Sequence, residues 1–385
     1  MAKIIVYLDS SDYSTLSNTS ANDGELETIR ADLLELANHP SVTFAFSGVH
    51  LAEISPLETQ YLHRAISRAD LLVDLCGRNA LISIDRLFKA EITCLATGAS
   101  TPPAVLSDNG IWYPEVNDTI SPFKHPELKI SINRSMEEKG MNRQSRRQAN
   151  SLLYSGNKPR GLMTEFIKKQ ADDGDLTEVL KSFPMRPQAA DVLQRYMCGQ
   201  ASQEEGEAAF HESLRDPRWM MRWFAEHHNE LHPIISWVRE PSQKMAKMVR
   251  KIATDALGNI AASDWEAQAD MLVVDVANTL LNSIFPSATA DYTLGLVEKY
   301  CPGLSITIRS NHSSIRDSLG IIPREPKDSD LADTLHAAYA PYVSIFRADK
   351  YMAPHIQKYV TRHGTKVVAR LKDLPNEIRS QINNW

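Results

Sequence analysis

The chain has 385 residues, of which 43% are hydrophobic and 23% charged, so its composition is that of a globular protein and excludes a disordered or fibrous chain. Its length is typical of two or three domains. No apolar run reaches the roughly 18 residues that a bilayer requires, so the sequence predicts no membrane-spanning helix. The formal net charge of −6 gives no overall indication of nucleic-acid binding, and any basic surface must therefore be local.

The cysteines and the first residues indicate the cellular compartment. The four cysteines lie far apart and form no CxxC pair, so neither a disulfide scaffold nor a structural zinc site is expected. The apolar run at 4–8 is too short for the core of a signal peptide and ends at Asp9. We therefore interpret this run as a first strand and expect a cytoplasmic protein.

The first hundred residues alternate between short β-rich runs and segments with apolar residues at near-helical spacing. Such alternation is typical of a parallel α/β sheet. The predicted segments are a strand at 3–8, a helix at 23–38, a strand at 42–46, a helix opening at 47–53, an amphipathic helix at 59–76 and a short strand at 80–84.

From about residue 135 to 300 the sequence is helical in character, and prolines mark the breaks between helices. The α/β character returns after residue 300, with strands predicted at 304–308, 343–346 and 366–371 and a helix at 330–339. The helices predicted in the middle are 143–153, 163–170, 188–197, 204–214, 218–229, 241–256 and 265–284.

These patterns predict an α/β fold with two domains. One domain, residues 1–100 plus 301–385, is built from both ends of the chain and contains a parallel sheet. The intervening residues 101–300 are predicted to be a large all-α insertion. Insertions of this kind are tolerated where the two ends of a surface loop lie close together.

Four carboxylates, Asp9, Glu53, Asp333 and Asp349, stand where a parallel sheet builds a site, past the carboxyl ends of strands or on a neighbouring helix. Converging carboxylates repel one another, and a hard divalent cation such as Mg²⁺ or Mn²⁺ compensates for that repulsion. Such an ion activates water and stabilises the transition state of phosphodiester hydrolysis. We interpret the four acids as a catalytic metal-binding set.

Each of these acids also has an ordinary structural interpretation. Asp9 is the residue type of a turn or a helix N-cap, as are Ser10 and Asp12. Asp333 and Asp349 are compatible with solvated surface positions. The set is more informative than its members, because three of the acids follow apolar runs that are expected to be buried strands.

Three stretches of the chain resemble the PIN-like nuclease family. The first, at 4–9, is a strand that ends in an aspartate, and the second, at 44–53, is similar to the strand, small residue and helix that deliver the family's glutamate. The third, at 330–350, is similar to the family's acidic helix, apolar strand and final aspartate followed by Lys or Arg. Residues 367–374 resemble the usual C-terminal end of the domain.

This resemblance covers about half of the chain and implies a PIN-like domain with metal-dependent endonuclease activity, in a family most of whose members act on RNA. It implies that the four acids hold one or two Mg²⁺ or Mn²⁺ ions and that a metal-activated water attacks the phosphodiester. Many family members have Thr-Asn after the first aspartate, where this chain has Ser10-Ser11-Asp12. Ser10 is then expected to supply the hydroxyl, and Asp12 adds a further carboxylate.

Further polar residues in the third stretch are candidate accessory residues, namely Asp330, His336 and Lys350. His336 lies three residues after Asp333 and therefore on the same helix face. Packing is the commoner role of such a histidine, and catalysis is the alternative. Lys350 either contacts the scissile phosphate or is solvated.

The predicted insertion carries local positive charge that the whole chain lacks. Residues 134–170 contain nine Lys or Arg and three Glu, and a second basic stripe follows at helical spacing. Such stripes attract phosphates, although a solvated helix face is the ordinary alternative. The candidate nucleic-acid-binding residues are Arg143, Arg146, Arg147, Lys244, Lys247 and Lys251.

The leading hypothesis is a metal-dependent PIN-like endonuclease that does not bind a membrane. Its expected partner is nucleic acid, with RNA, and hence an endoribonuclease, favoured over DNA because most of the resembled family acts on RNA. A homo-oligomer and an inhibitory partner protein are both left open. The alternatives are a catalytically degenerate PIN-like binding or scaffold protein and a helical protein–protein adaptor. The sequence has no P-loop, GxSxG or HExxH motif, which argues against an ATPase, an esterase-type hydrolase and a zinc protease.

Overall fold

The computed structural model describes residues 3–18, 23–56, 58–99, 101–114, 125–165, 169, 183–229, 262–286, 292–318 and 329–384. The chain divides into two compact units, Met1–Pro114 together with His228–Trp385, and Glu115–His227. Within the described residues, no helix is long and apolar enough to cross a bilayer.

The N-terminal part of the first unit alternates strands and helices, as the sequence predicts. A 3₁₀ turn at Thr59–Tyr61 precedes the long amphipathic helix of this part. The elements are β1 (Ile4–Tyr7), α1 (Ser10–Leu16), α2 (Gly24–Ala37), β2 (Val42–Ala45), α3 (Gly48–Ile54), α4 (Leu62–Cys76), β3 (Ala80–Leu81), α5 (Ile84–Thr97) and β4 (Leu106–Ser107).

The second unit contains mostly helices, but it is not all-α as predicted, because residues 154–159 form a short antiparallel hairpin. The predicted helix at 143–153 is confirmed with the same bounds, and the one at 241–256 lies outside the described residues. The elements are α6 (His125–Glu138), α7 (Arg143–Leu153), β5 (Tyr154–Ser155), β6 (Lys158–Pro159), α8 (Pro187–Met197), α9 (Gln203–Leu214) and α10 (Pro217–His227).

The C-terminal part of the first unit combines helices with two strands. Three 3₁₀ turns, Ala340–Tyr342, Thr361–His363 and Leu371–Asp373, connect its elements. The elements are α11 (Ala262–Ile284), α12 (Leu294–Tyr300), α13 (Pro302–Ser318), α14 (Ser329–Ala337), β7 (Ile345–Arg347), α15 (Met352–Val360), β8 (Lys366–Val368) and α16 (Leu374–Asn383).

A four-stranded parallel sheet in the order β2-β1-β7-β8 organises the first unit, so the predicted parallel sheet from both ends of the chain is confirmed. The central strand β1 pairs Val6 with Ile345 and Tyr7 with Phe346. The chain moves outward from β1 to β2 on one side and from β7 to β8 on the other. The strand order therefore reverses between β1 and β7, which is where open α/β sheets place their binding crevice.

Aromatic side chains fill the space beside this pairing. The rings of Tyr7 and Phe346 are stacked, with centroids 5.4 Å apart and an angle of 12° between their planes, and both side chains are buried. Tyr339 packs against Tyr7 from the neighbouring segment, with ring centroids 5.6 Å apart. This contact continues the core from the sheet to the residues that follow α14.

The helical insertion is smaller than the predicted range 101–300. The buried side chains Val273 and Leu281 of α11 belong to one apolar cluster with Ile92 and Leu95 of α5. The helices α11 and α12 consequently lie in the first unit, and the second unit covers residues 115–227. The sequence pattern predicts that these helices exist, but it does not show which of the two units their apolar faces pack into.

The strand predicted at 304–308 is wrong, because these residues belong to the helix α13. The prediction failed because the segment is buried on every side, which hides the helical period that a half-exposed helix displays. The fully or nearly fully buried residues are Leu304, Ser305, Ile306 and Thr307.

The side chain of Glu91, a residue of α5, caps the N-terminus of α13. Its carboxylate accepts hydrogen bonds from the backbone N–H groups of Gly303 at 2.6 Å and Leu304 at 3.0 Å, and the hydroxyl of Tyr342 also donates to it. These N–H groups are unpaired in the first turn of any helix, and a carboxylate there also suits the helix dipole. A Cβ atom at position 303 would lie 2.6 Å from the carbonyl oxygen of Ala338, so this close approach requires glycine.

We expect Glu91→Ala to lower the free energy of unfolding by about 3 kcal/mol. The substitution leaves two backbone N–H groups in the core without an acceptor, and each such group costs about 1–3 kcal/mol. Urea unfolding of the full chain measures the difference. A loss below about 0.5 kcal/mol, the size of an ordinary surface substitution, would contradict the capping role.

The same residue gives the protein a pH-dependent stability. Burial raises the pKa of Glu91 from 4.5 to about 7, against the lowering effect of its hydrogen bonds with Tyr342, Leu304 and Gly303. Because the pKa of Glu91 is raised in the folded state, the stability that this shift contributes is complete at low pH and is lost as the pH rises toward 7. Relative to Glu91→Gln, which has no such titration, wild type should lose stability between about pH 5 and about pH 8. Urea unfolding of both proteins at the two pH values tests this. If the difference in free energy of unfolding between wild type and Glu91→Gln is the same at both pH values, the predicted pH dependence is wrong.

Candidate functional site

A small pocket lies at the reversal of strand order between β1 and β7. Its cavity volume of about 10 Å³ is close to the room that one water molecule requires. Asp9 and Asp333, two of the four predicted acids, line it from opposite ends of the chain. The other lining residues are His336, Phe346, Arg347, Ala348, Met352 and Ile356.

Asp9 follows β1 and is the N-cap of α1. Its carboxylate accepts the backbone N–H of Ser11 at 2.7 Å, and the carboxylate of Asp12 accepts the backbone N–H of Asp9 at 3.2 Å. This reciprocal capping fixes the turn between strand and helix. The capping role that the sequence allowed for Asp9 is thus present, and it leaves the same side chain on the lining of the pocket.

Asp12 is nearly fully buried and pairs with Arg347, the last residue of β7. The guanidinium nitrogen Nη2 lies 3.0 Å from Oδ1 of Asp12, and the same guanidinium donates to the carbonyl of Ala348. Burial raises the pKa of Asp12 to about 7, although the charge of Arg347 acts in the opposite direction. This ion pair joins the first helix to the strand that carries the other side of the pocket.

His336 is buried and connects the pocket to the core. Its Nε2 lies 2.7 Å from Oε2 of Glu53 and 3.1 Å from Oγ of Ser10, and its Nδ1 lies 2.6 Å from the hydroxyl of Tyr7. Because a carboxylate only accepts, Nε2 carries the hydrogen and donates it to Glu53, while Nδ1 accepts from Tyr7 when the ring is neutral. The imidazole is therefore a bridge from a buried tyrosine to a partly exposed glutamate.

A second histidine supports this bridge from behind. The ring of His50 lies 4.7 Å from that of His336, its Nε2 donates to the carbonyl of Leu8 at 3.0 Å, and its Nδ1 accepts the backbone N–H of Ser47 at 3.0 Å. Burial, followed by the neighbouring His336, lowers the pKa of His50 well below its ordinary value. Ser47 also lies 2.6 Å from the hydroxyl of Tyr7, which completes the network.

Ser10, His336 and Glu53 have the residue types of a hydrolase triad but not its geometry. In such a triad the serine and the acid bind opposite nitrogens of the imidazole. Here Ser10 and Glu53 both contact Nε2, and Nδ1 faces Tyr7. Because Nε2 already carries the hydrogen that it donates to Glu53, it cannot accept the proton of Ser10, so this arrangement does not activate Ser10 as a nucleophile.

The residues that line the pocket do not include Glu53, Asp349 or Lys350. Glu53 is held by His336, and Oδ1 of Asp349 accepts the backbone N–H of Met352 at 2.6 Å, at the start of α15. Lys350 is exposed. Asp330 belongs to α14, but its side chain lies outside the described residues.

The donor set of the pocket fits a hard divalent cation in type, because Asp9 and Asp333 offer carboxylate oxygens. It does not form a complete protein cage: among the described residues, no group of three or more His, Cys, Asp or Glu side chains is placed to hold a metal ion. Mg²⁺ is commonly bound by one or two carboxylates, several waters and substrate phosphates. The two acids are therefore donors of the right type for that kind of site, in a pocket with room for about one water molecule.

The predicted basic residues lie in the second unit or outside the described residues. Arg143 and Arg147 are exposed on α7, whereas Arg146 pairs with Glu137 of α6 at 2.7 Å. One of the three arginines therefore has an ionic partner within its own unit. The predicted stripe of Lys244, Lys247 and Lys251 lies outside the described residues.

Four residues that organise the site were not predicted from the sequence, namely Tyr7, Ser47, His50 and Arg347. Three signals are visible in retrospect. His50 precedes Glu53 by three residues, so both lie on one helix face. Tyr7 puts a hydroxyl in an otherwise aliphatic strand, and Arg347 puts a cation at the end of another buried strand. Polar groups in such positions require buried partners.

Comparison with known proteins gave no match: no protein-family model, no curated protein and no solved structure is significantly similar to the chain.

We expect Arg347→Met to lower the free energy of unfolding by about 3 kcal/mol, because it leaves the Asp12 carboxylate buried without its cation. The double variant Arg347→Met/Asp12→Asn should recover most of this loss. The amide needs no ionic partner, and its oxygen still accepts the backbone N–H of Asp9. Chemical unfolding of both variants tests the pair, and equal losses in the two would show that the ion pair is not the source of the stability.

Proposed function

We propose that this chain is a metal-dependent nuclease of the PIN-like kind, which hydrolyses phosphodiester bonds and acts on RNA. The observation that carries the proposal is the meeting of Asp9 and Asp333 in one pocket at the reversal of strand order. These acids stand at opposite ends of the sequence, and the pairing of β1 with β7 brings the two ends together. Their shared position matches the resemblance of residues 4–9 and 330–350 to that family.

Asp9 and Asp333 are the residues that would hold Mg²⁺ or Mn²⁺, and when bound the ion would supply an activated water and stabilise negative charge on the phosphate. The capping bonds of Asp9 keep its carboxylate at the end of β1. Arg347, the last residue of β7, and the following Ala348 line the same pocket, which has room for a small species only.

Glu53 has a positioning role in this proposal. The hydrogen bond from Nε2 of His336 fixes one carboxylate oxygen of Glu53, and Tyr7 fixes the ring from its other side. Hydrogen bonds of this kind orient acidic residues around metal sites. Asp349 remains a predicted metal ligand, and its carboxylate also accepts the backbone N–H of Met352, the first residue of α15. RNA rather than DNA is proposed on the family resemblance alone.

A catalytically degenerate binding or scaffold protein is the second candidate. One observation favours it: the described residues contain no preassembled group of three metal-binding side chains. This candidate predicts that the protein binds RNA but does not cleave it, whatever metal ion is present. It also predicts that Mn²⁺ does not change the melting temperature.

We expect Asp9→Asn and Asp333→Asn each to reduce RNA cleavage by more than about 100-fold, since even residues that only support a metal ligand cost 10–100-fold. Asparagine is as good an N-cap as aspartate, so Asp9→Asn removes the charge and keeps the start of α1. The double variant should be little worse than either single one, because both acids serve one centre. The assay is cleavage of a total-RNA pool with Mn²⁺ or with EDTA.

Glu27→Gln is the matched control, since Glu27 is an exposed acid on α2, and it should cleave like wild type. Mn²⁺ should raise the melting temperature of wild type and of this control, but not of Asp9→Asn. An active Asp9→Asn protein in metal-replete buffer would overturn the proposed metal site.

A further inference from the structure

A polar groove lies between α1 and α4 in the first unit, apart from the pocket described above. Its cavity volume is about 390 Å³. The α4 side contributes two arginines, a histidine and a serine, and the α1 side contributes hydroxyl and amide groups. The lining residues are Ser14, Ser17, Asn18, His63, Arg64, Ser67 and Arg68.

The charge of this groove is not neutralised from within the described part of the chain. Neither Arg64 nor Arg68 forms an ion pair with a described carboxylate, whereas other arginines of the unit, such as Arg309 and Arg379, do. Arg68 is half-buried, and burial together with the charge of Arg64 lowers its pKa. Two like charges held together at a partly dehydrated surface favour an anion between them.

An exposed aromatic ring stands at the edge of the same groove. Tyr61 keeps 43% of its surface exposed, and the guanidinium carbon of Arg64 lies 5.8 Å from the centre of its ring. Exposed aromatic rings next to arginines are the usual platform for unpaired bases. The hydroxyl group of Ser14 is of a kind that commonly donates to phosphate oxygens, whereas that of Ser67 donates to the carbonyl of His63 at 3.0 Å.

The helix α1 connects this groove to the pocket. Asp9 caps its first turn and Ser17 its last, so the two ends are separated by roughly 12 Å at 1.5 Å per residue. This is about the axial length of three or four stacked nucleotides, at about 3.4 Å each. The separation along α1 is therefore one that a short single strand can span.

We propose that the groove between α1 and α4 binds the backbone of a single-stranded nucleic acid, with phosphates on Arg64 and Arg68 and a base against Tyr61. This inference rests on the proposed nuclease function for its substrate class, but its residues are separate from those that line the pocket. It also places the substrate on the unit that contains the acids, rather than on the basic helix α7.

The test is fluorescence anisotropy of a labelled twelve-nucleotide oligouridylate, measured in EDTA at several salt concentrations. Arg64→Gln/Arg68→Gln should weaken binding about 20-fold near 0.1 M salt and reduce the slope of log affinity against log salt by about 1.4, since each contact contributes about 0.7. Tyr61→Ala should weaken binding about tenfold, and Tyr61→Phe should retain it, because a stacked base needs the ring and not the hydroxyl.

Lys366→Gln/Lys372→Gln is the matched control, because it removes two positive charges from exposed positions of the same unit and should leave both affinity and slope unchanged. Arg143→Gln/Arg147→Gln tests the competing surface on α7. If that pair removes the affinity while Arg64→Gln/Arg68→Gln does not, the proposed groove is wrong. The proposal is also wrong if the wild-type protein binds no oligonucleotide, or if inorganic phosphate stabilises it and the oligonucleotide does not.

The result of this binding test does not depend on whether the protein cleaves RNA. Asp9→Asn should bind the oligouridylate in EDTA as wild type does, since its charge lies outside the groove. A protein that binds through Arg64 and Arg68 but never cleaves RNA would exclude the proposed nuclease and leave the groove in place.

Discussion

The parallel pairing of β1 with β7 is the constraint on which the site depends. Each strand contributes only a few residues to the sheet, yet Val6 and Tyr7 meet Ile345 and Phe346 across nearly the whole length of the chain. The turn after β1 carries Asp9, and the turn after β7 carries Ala348. Parallel strands end at the same edge of a sheet, so this pairing alone brings the two turns together.

Buried polar groups then fix the geometry around that edge. The ion pair between Asp12 and Arg347 joins α1 to β7, and His336 joins α14 to both α1 and α3 through Ser10 and Glu53. Each of these groups would be costly inside the protein without its partner. The network therefore favours one arrangement of the elements over others that would bury the same apolar surface.

Much of the sheet was predictable because its strands are short, apolar and separated by periodic helices. The strand at 42–46 and the helix at 143–153 were identified from local pattern alone. The segment at 304–308 was not, since it lies in the buried first turns of its helix, whose start is capped by Glu91, a residue remote in sequence. The division of the chain failed for a related reason: an apolar stripe such as that of α11 shows that a partner exists, but not that the partner is α5.

The sequence placed Asp9 after a strand and Asp333 on a helix before another strand. In the structure both side chains line one pocket. The part played by His336 depends on Tyr7 and Glu53 reaching it from other elements, and single-sequence periodicity contains no information on such contacts. The groove of Arg64 and Arg68 was missed because two arginines on an amphipathic helix resemble any solvated face until α1 is placed beside them.

The central position of β1 has a consequence for biosynthesis. β1 leaves the ribosome before β7, and β2 can cover one of its edges soon afterwards. Its other edge waits for β7, and at about 5–20 residues per second the ribosome needs roughly 15–70 s to make the intervening chain. Throughout that interval an apolar strand edge is open to other nascent chains. The second unit lies wholly within this interval and can fold before the first is complete, so the sheet is completed only after the second unit has been synthesised.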